Sequence, residues 1–287
     1  MPQILTRIHN EYLDATVSTL GAELQSLVTA DGCSVLWDGN PEHWSGRSPL
    51  LFPIIGRAAE DHLVIDGQDF RMAQHGFARR STFALIRQDD TSCSHLLVDN
   101  AATRAVYPFA FRLIVSHSLS GPVLRVQADV TNEDTRPMPF QLGFHPAFRW
   151  PLPGAAGDHV ITLENDAAPA LARLQHGLLS PARGQSPFQE GTLVLDPALF
   201  ADDAMIFPEG AGDRLRYAAD FGPVLDFRFE NLPNIALWTK HGARFVCIEP
   251  WHGLPATTAG DPDILSRPFV KTLSSGEEAQ FAWELRL

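Results

Sequence analysis

Short alternations of apolar and polar residues recur along the chain, and glycine or proline separates them. Residues 12–18, 111–119 and 122–131 alternate as strands with one buried face do. Ser120-Gly121 lies between the last two segments and predicts a hairpin, and Asp66-Gly67 predicts another within residues 63–70. Further strands are predicted over residues 138–142, 224–230, 235–239, 244–249 and 279–286.

Helical signals are few and short. Asn100 is placed to cap a turn over residues 101–106 that Pro108 would end, and residues 196–200 form a second short candidate. Neither is long enough for the crossover helix that joins parallel strands. The pattern therefore predicts an all-β fold, a large antiparallel β-sandwich with few short helices.

The organisation of the chain favours one domain over residues 1–287. The 22 prolines and 21 glycines are spread throughout, so they punctuate short elements instead of marking a single linker. Residues 151–191 read as a loop-rich stretch, but strand signals resume on both sides of it without a shift in composition. Internal repeats and low-complexity tracts are not found in the sequence.

The net charge limits the classes of binding partner that we expect, and the cysteine content limits the disulfide bonds that we expect. The formal net charge of −12 disfavours nucleic acid and an anionic membrane, both of which need clustered cations. A neutral small molecule fits better, and an anionic one would need a local basic pocket. No apolar run has the length of a signal peptide or membrane helix, so a cytoplasmic protein is expected. Cys33, Cys93 and Cys247 are too few and too far apart for a disulfide framework.

The sequence lacks the motifs that are typical of several kinds of catalysis and ligand binding. The chain has no Gly-x-Ser-x-Gly elbow and no phosphate-loop or dinucleotide fingerprint. The 11 histidines are scattered without His-x-His or His-x-x-x-His spacing, so neither metal nor cofactor is predicted. A small set of His, Glu, Asp and Arg residues remains, which is typical of cofactor-free acid–base chemistry.

Two residues stand out as an acid–base pair. His145 follows the strand predicted over residues 138–142, and Pro146 holds its backbone extended, so its imidazole can be aimed reproducibly. Glu249 ends an apolar run, where burial would raise its pKa towards that of a general base. Trp251 is able to stack on a sugar ring or to fill the core. The structural alternatives are a loop-capping histidine and a surface carboxylate at a strand end.

Polar groups in turns are candidates for binding. Arg57 and His75 lie in glycine-containing turns and could hold ligand hydroxyls. Arg57 could equally pair with Glu60 or Asp61, and His75 could cap its own turn. Asp203 is a weaker candidate because it adjoins Asp202, and one of the two could be only a solvated turn residue.

Taken together and in order, short motifs along nearly the whole chain resemble those of the aldose 1-epimerase (galactose mutarotase-like) superfamily, and its LacX-like branch in particular. These motifs are Leu36-Trp37-Asp38-Gly39, His43-Trp44-Ser45-Gly46, Ser48 to Arg57, Gln74-His75-Gly76-Phe77-Ala78-Arg79, Val106-Tyr107-Pro108-Phe109, Met138-Pro139-Phe140, Gly143-Phe144-His145-Pro146-Ala147-Phe148, Asp203-Ala204 and Phe245 to Trp251.

The resemblance implies a supersandwich fold and a set of roles. It makes His145 the general acid and Glu249 the general base of a mutarotase that interconverts hexose anomers without a cofactor. It assigns His75 and Arg57 to sugar hydroxyls and Asp203, less securely, to sugar binding. Phe144 departs from the many relatives that carry glycine or another residue there, and it either narrows the pocket or points into the core.

Two alternatives to a mutarotase of free hexoses remain open. One is a sugar-binding protein without turnover. The other is a mutarotase of hexose 6-phosphates, which would need cations at the pocket mouth, for which the candidates are Arg47, Arg79, Arg80 and Lys240. The protein is expected to be a monomer or a homodimer.

Overall fold

The computed structural model describes residues 3–287, and antiparallel strands dominate it. The strands, in chain order, are β1 (Leu5–His9), β2 (Leu13–Ser18), β3 (Leu24–Thr29), β4 (Leu50–Leu51), β5 (His62–Ile65), β6 (Gln68–Arg71), β7 (Ala84–Gln88), β8 (Ser92–Val98), β9 (Phe111–Ser120), β10 (Val123–Asn132), β11 (Met138–Phe140), β12 (Leu142–Phe144), β13 (Ala147–Arg149), β14 (Ala156–Leu163), β15 (Leu174–Gln175), β16 (Leu178–Leu179), β17 (Thr192–Val194), β18 (Met205–Phe207), β19 (Arg214–Phe221), β20 (Val224–Glu230), β21 (Asn234–Trp238), β22 (Phe245–His252), β23 (Lys271–Leu273) and β24 (Glu278–Arg286).

A nine-stranded sheet forms one layer, in the order β17-β14-β19-β20-β24-β10-β9-β8-β7. Its central hairpin, β9–β10, has ten residues in each strand, and buried positions alternate with partly exposed ones. The hairpin predicted at Ser120-Gly121 is confirmed, with Ser120 paired to Val123. Alternation of this kind arises because successive side chains point to opposite faces of a strand.

A six-stranded sheet faces the first across an aromatic core. Its path runs β18-β21-β22-β12-β4, and β13 also pairs with β22. Phe148 of β13 packs on Phe227 of β20 with ring centroids 5.1 Å apart, and Phe144 of β12 meets Trp283 of β24 at 6.5 Å. The predicted all-β sandwich is thus confirmed, and Phe144 points into its core.

Smaller elements surround the two layers. Strands β1–β3 form a three-stranded sheet, and β5–β6, β11–β23 and β15–β16 form two-stranded sheets. The predicted Asp66-Gly67 turn joins β5 to β6, and both turn residues have positive φ.

Helical segments are short, as predicted. The α-helix α1 spans Ala101–Arg104, and the Asn100 side chain accepts hydrogen bonds from two amides of its first turn. The 3₁₀ helices are Ala59–Asp61, Ala78–Arg80, Pro197–Phe200 and Ile264–Ser266, and Asp196 caps the third. Over residues 3–287 no helix has the length and apolar character to cross a membrane. All three cysteines are unpaired.

The stretch over residues 151–191, predicted to be rich in loops, also contains strands that its sequence pattern did not predict. That stretch contains β14, an eight-residue strand of the large sheet, and the hairpin β15–β16. The first three residues of β14 are exposed, and a register irregularity separates Ala156 from His159, so alternation begins only at His159.

Two predicted strands have different bounds. The strand predicted over residues 138–142 is interrupted at Gln141, whose buried amide group donates to the carbonyls of Leu254 and Pro268. The strand predicted to end at Glu249 continues to His252, with Pro250 and Trp251 in register against β21. Glu249 therefore lies inside a strand and not at its end.

Candidate active site

His145 follows β12 directly, at the point where the strand leaves its pairing with β4. Its backbone amide donates to the carbonyl of Pro49 at 3.1 Å, which anchors the residue beside the sheet. Trp44 stacks on the imidazole with ring centroids 5.0 Å apart, and Trp238 meets it edge-on at 5.8 Å. The ring is therefore held between indoles and largely shielded from water.

Glu249 lies in β22, every residue of which is buried except the last. Its Oε2 is 3.2 Å from Nε2 of His145. The two groups are close but not aligned as a hydrogen bond, since Glu249 Oε2 is buried without a partner. The other ring nitrogen of His145, Nδ1, is also buried without a partner. A small rotation of either side chain would allow a proton to pass between them.

Burial shifts the pKa values of His145 and Glu249 in opposite directions. Desolvation lowers the pKa of His145 to about 3. Desolvation also raises the pKa of Glu249 well above its ordinary value, and the nearby negative charge of Asp203 raises it further. Both shifts favour the uncharged forms. The imidazole of His145 is therefore neutral at neutral pH, and burial favours the protonated form of Glu249, so the pair is able to hold a transferable proton.

His75 forms a reciprocal contact with Gly56. The His75 amide donates to the Gly56 carbonyl at 2.9 Å, and the Gly56 amide donates to Nδ1 of His75 at 3.1 Å. Since Nδ1 accepts, the proton of the neutral ring is on Nε2. Burial, and then the neighbouring His145, lowers the pKa of His75 well below its ordinary value. His75 is thus neutral and fixed in place, and its Nε2 lies 3.3 Å from the side-chain amide of Gln74.

The turn that carries His75 depends on glycine. His75 itself has a φ of 63°, which is uncommon for a residue with a side chain, and Gly76 follows with a φ of 70°. A Cβ at Gly76 would lie 2.1 Å from the carbonyl oxygen of Phe52. Glycine at this position therefore lets the turn approach the segment that precedes Gly56.

These groups open onto a cavity of about 370 Å³, within the range of roughly 300–1,000 Å³ seen for small-molecule sites. The cavity is lined by Trp44, Gly56, Gln74, His75, Arg79, His145, Leu174, Gly177, Asp203, Ala204, Trp238, Glu249, Trp251 and Pro255. Three larger depressions, of about 400, 500 and 970 Å³, lie elsewhere on the surface. The smaller cavity is the candidate active site because only it, of the four, contains the His145–Glu249 pair.

The structure brings five of the six predicted site residues to this cavity: His145, Glu249, His75, Asp203 and Trp251. Trp251 packs so closely on the neighbouring strand that a Cβ at Gly143 would lie 2.5 Å from its Cδ1 atom.

Arg57 is placed differently from the other predicted residues. Its guanidinium donates to both carboxylate oxygens of Asp61 and is not among the groups that line the cavity. Its stem lies behind Gly177, where a Cβ would be 2.8 Å from the arginine Cδ. The ion pair with Asp61, anticipated as the alternative for Arg57, is therefore present.

Asp203, and not Asp202, lines the cavity. Its Oδ1 accepts the amide of Ala204 at 2.9 Å, and Arg173 donates to its backbone carbonyl. The backbone φ of 66° at Asp203 holds the residue in a tight turn at the start of β18. The question of which aspartate faces the cavity is thereby answered by the backbone of this turn.

Sequence reasoning missed a buried arginine that supports the site. Arg267 is 4% exposed and donates to Gln141 Oε1 at 2.9 Å and to the carbonyl of Ile55. Burial lowers the pKa of Arg267 to about 9. The contacts fix the segments that supply Gly56 and Pro255 to the cavity wall. Nothing in the sequence near Arg267 signals this role, because Gln141 and Ile55 are more than a hundred residues away.

The comparisons with known proteins agree with the fold. A family model described as Aldose 1-epimerase matches residues 3–211. The chain is 32% identical over 277 residues to the chromosomal protein LacX of Lactococcus lactis subsp. lactis, covering 90% of each protein. A galactose mutarotase related enzyme from Lactobacillus acidophilus superposes with a TM-score of 0.93 at 28% identity, covering 99% of this chain and 97% of that one. A galactose mutarotase-like protein from Lactobacillus casei gives 0.89 at 29% identity, covering 99% of both. The resemblance expected from the ordered motifs is confirmed.

Proposed function

The chain belongs to the aldose 1-epimerase family, and we propose that it interconverts the α and β anomers of a hexose by opening and reclosing the sugar ring. The observation that carries the proposal is the 3.2 Å approach of His145 to Glu249 inside an indole-lined cavity. Anomer exchange needs one group that gives a proton and one that takes a proton, and the two must exchange roles in the reverse direction. A buried pair that holds one proton satisfies this need.

The proposed cycle begins with transfer of the shared proton from Glu249 to His145. Glu249 then removes the proton from the anomeric hydroxyl while His145 protonates the ring oxygen. The bond between C1 and the ring oxygen breaks, its electron pair stays on that oxygen, and C1 becomes an aldehyde. Rotation about C1–C2 presents the other carbonyl face. The ring oxygen then returns its proton to His145, attacks C1, and the new hydroxyl takes its proton from Glu249.

The remaining cavity groups would hold the sugar while its ring is open. The Nε2–H of His75 is suited to donate to a hydroxyl oxygen, and the carboxylate of Asp203 is suited to accept from a hydroxyl group. Trp44, Trp238 and Trp251 offer faces or edges for the apolar side of the ring. Arg57 would contact a hydroxyl only after exchanging its bond to Asp61. Retention of the open chain matters because reclosure must be faster than escape.

Polarimetry of freshly dissolved α-glucose and α-galactose tests the proposal. The wild-type chain should accelerate the decay of optical rotation for at least one of them, and His145→Ala and Glu249→Gln should each lose most of that acceleration. Near-full activity in either folded variant would contradict the acid–base assignment. Tight sugar binding by the wild type without faster mutarotation would instead support the alternative of a non-catalytic sugar-binding protein.

One observation favours a second candidate, a mutarotase of hexose 6-phosphates. Of the four cations suggested for a phosphate, only Arg79 lines the cavity. Arg47 donates to the side chain of Gln25, Lys240 to the carbonyl of His43 and Arg80 to the carbonyl of Gly76. Arg79 has its Nε buried without a partner, and burial lowers its pKa to about 10. A guanidinium in this state would gain from a bound anion.

A panel of free and phosphorylated hexoses distinguishes the two substrates. If a phosphate is recognised, Arg79→Gln should lower kcat/KM for the phosphorylated sugar and leave that for the free sugar nearly unchanged. Arg80→Gln is the matched control, since Arg80 is adjacent but does not line the cavity. Equal effects of Arg79→Gln on both sugars would remove the support for the phosphate.

A further inference from the structure

A second buried group of ionisable side chains lies in the nine-stranded sheet, apart from the acid–base cavity. Cys93 and His95 are two residues apart on β8, so both point to the same face of the sheet. His117 of β9 is the direct cross-strand partner of Cys93. All three side chains face the interior, with exposures of 0%, 0% and 1%.

Three of the four ring nitrogens in this cluster are buried without a hydrogen-bond partner. Both ring nitrogens of His95 and Nδ1 of His117 are buried without a hydrogen bond. Buried polar side chains are nearly always hydrogen-bonded, so three unpartnered nitrogens in one place require an explanation. One ligand atom from each of Cys93, His95 and His117 lies within 4.8 Å of the others. A thiol and two imidazoles at this spacing are a set of ligands for a soft or borderline transition metal.

We propose that Cys93, His95 and His117 form a buried metal site with one sulfur and two nitrogen ligands, and that cuprous ion is its occupant. The site is independent of the proposed mutarotase activity. The spacing of histidines in the sequence does not reveal the site, because the ligands come from neighbouring strands and not from one contiguous motif.

Charge decides between the candidate ions. A thiolate, two neutral imidazoles and a monovalent ion give a complex with no net charge, which suits an apolar interior. A divalent zinc ion on the same ligands would leave one uncompensated positive charge, and the cluster contains no carboxylate. Thiolate ligands also select cuprous ion, and trigonal coordination by two histidines and one cysteine is a known copper geometry.

The spacing and position of the cluster allow an ion to enter. Metal–ligand bonds of about 2.0–2.3 Å in a trigonal arrangement place the ligand atoms roughly 3.5–4 Å apart, so modest side-chain rotation would close the site. Strand β8 is second from the edge of the sheet, next to β7, whose five residues are all exposed. Opening of this edge, or folding in the presence of the ion, provides the route.

The test refolds the full chain from guanidinium chloride without oxygen, with cuprous ion buffered by bicinchoninate, and measures bound copper after desalting. One copper per chain is expected, with X-ray absorption showing one sulfur and two nitrogen neighbours and with a higher Tm than the copper-free protein. Cys93→Ser, His95→Phe and His117→Phe should each reduce copper retention at least tenfold. Cys247→Ser is the matched control, because it removes the other buried thiol and should keep one copper.

Three results would overturn the proposal. The first is a refolded wild type that retains no copper. The second is copper held by Cys93→Ser but lost by Cys247→Ser, which would place it beside His145 and Glu249, the other group with metal-ligand spacing. The third is preferential loading of zinc from an equimolar mixture, which would contradict the charge argument. X-ray absorption on the wild type keeps the test valid even if a variant fails to fold.

Discussion

The two large sheets differ in the surroundings that they give to carboxyl groups. In the nine-stranded sheet, Arg125 lies between Glu230 and Glu284 on a partly exposed face, with both ion pairs at 2.7 Å. In the six-stranded sheet, Glu249 is buried without a cation and lies opposite a neutral histidine. The first arrangement favours the ionised form of Glu230, and the second favours the protonated form of Glu249.

The pKa shifts of Glu230 and Glu249 follow from this difference in surroundings. A hydrogen bond from Arg125 lowers the pKa of Glu230, whereas burial raises the pKa of Glu249. The central strands of the large sheet alternate buried and partly exposed residues, whereas β22 of the six-stranded sheet is buried along nearly its whole length. The comparison indicates that the acid–base pair lies where this alternation is absent.

The largest effect is expected from neutralising the buried carboxylate. Glu249→Gln should reduce the polarimetric mutarotation rate by about 10³-fold or more, because a positioned acid–base group contributes roughly 10²–10⁴-fold. The Tm should not fall, since glutamine removes a carboxyl group that is costly to ionise in the interior. A large loss of Tm together with lost activity would mean that Glu249 is structural.

The next effect is a dependence of stability on pH with opposite signs in the two sheets. Because the folded pKa of Glu249 is raised, its stabilising contribution is fully present below the unfolded pKa of about 4.3 and is lost as pH rises through the folded value. The Tm advantage of Glu249→Gln over wild type should therefore grow with rising pH.

Glu230 has a lowered pKa, so its stabilising contribution is lost as pH falls. Glu230→Gln should therefore lower the Tm least at acidic pH. Parallel pH curves for the two variants, measured by calorimetry, would contradict the contrast.

A smaller effect is expected from crowding the cavity wall. A Cβ at Gly143 would push Trp251, so Gly143→Ala should lower kcat/KM about tenfold and destabilise the fold by about 1–3 kcal/mol. Gly121→Ala in the β9–β10 turn is the matched control, because a Cβ there meets nothing within 4 Å and only the positive φ is strained. Equal losses of activity in both variants would show that packing on Trp251 is not the cause.

The smallest effect is expected from the exposed ion-pair network. Glu284→Gln should lower the unfolding free energy measured in urea by no more than about 1 kcal/mol, because solvent-accessible ion pairs contribute little. Mutarotation should be unchanged. A loss of several kcal/mol, or any loss of activity, would mean that the nine-stranded sheet does more than support the site.

Turn residues and the alternation of apolar and polar positions predicted many of the strands and turns. The turns at Asp66-Gly67 and after Ser120 follow from residues that accept positive φ or tight backbone geometry, and the strands β9 and β10 beside the second turn alternate cleanly. Strand β14 was missed because its first half is exposed and irregular in register, so its pairing with β19 and not its own pattern defines it.

The candidate site was predicted in part, from ordered motifs and not from local chemistry. His145 and Glu249 each had a structural alternative as good as the functional one until they were considered together. Trp238 and Arg267 were missed because long-range packing alone gives them their places. The pairing of Cys93 with His117 was missed for the same reason, since it depends on strand register.

The measurement that tests the central claim most directly is a double-mutant cycle on the rate of anomer exchange. NMR magnetisation transfer between the α and β signals measures this rate for the hexose that the wild type exchanges fastest. If His145 and Glu249 share one proton and act as a unit, His145→Gln, Glu249→Gln and the double variant should all lose a similar factor. If the two single losses multiply in the double variant, the residues act independently, and the account of a coupled proton-exchanging pair is wrong.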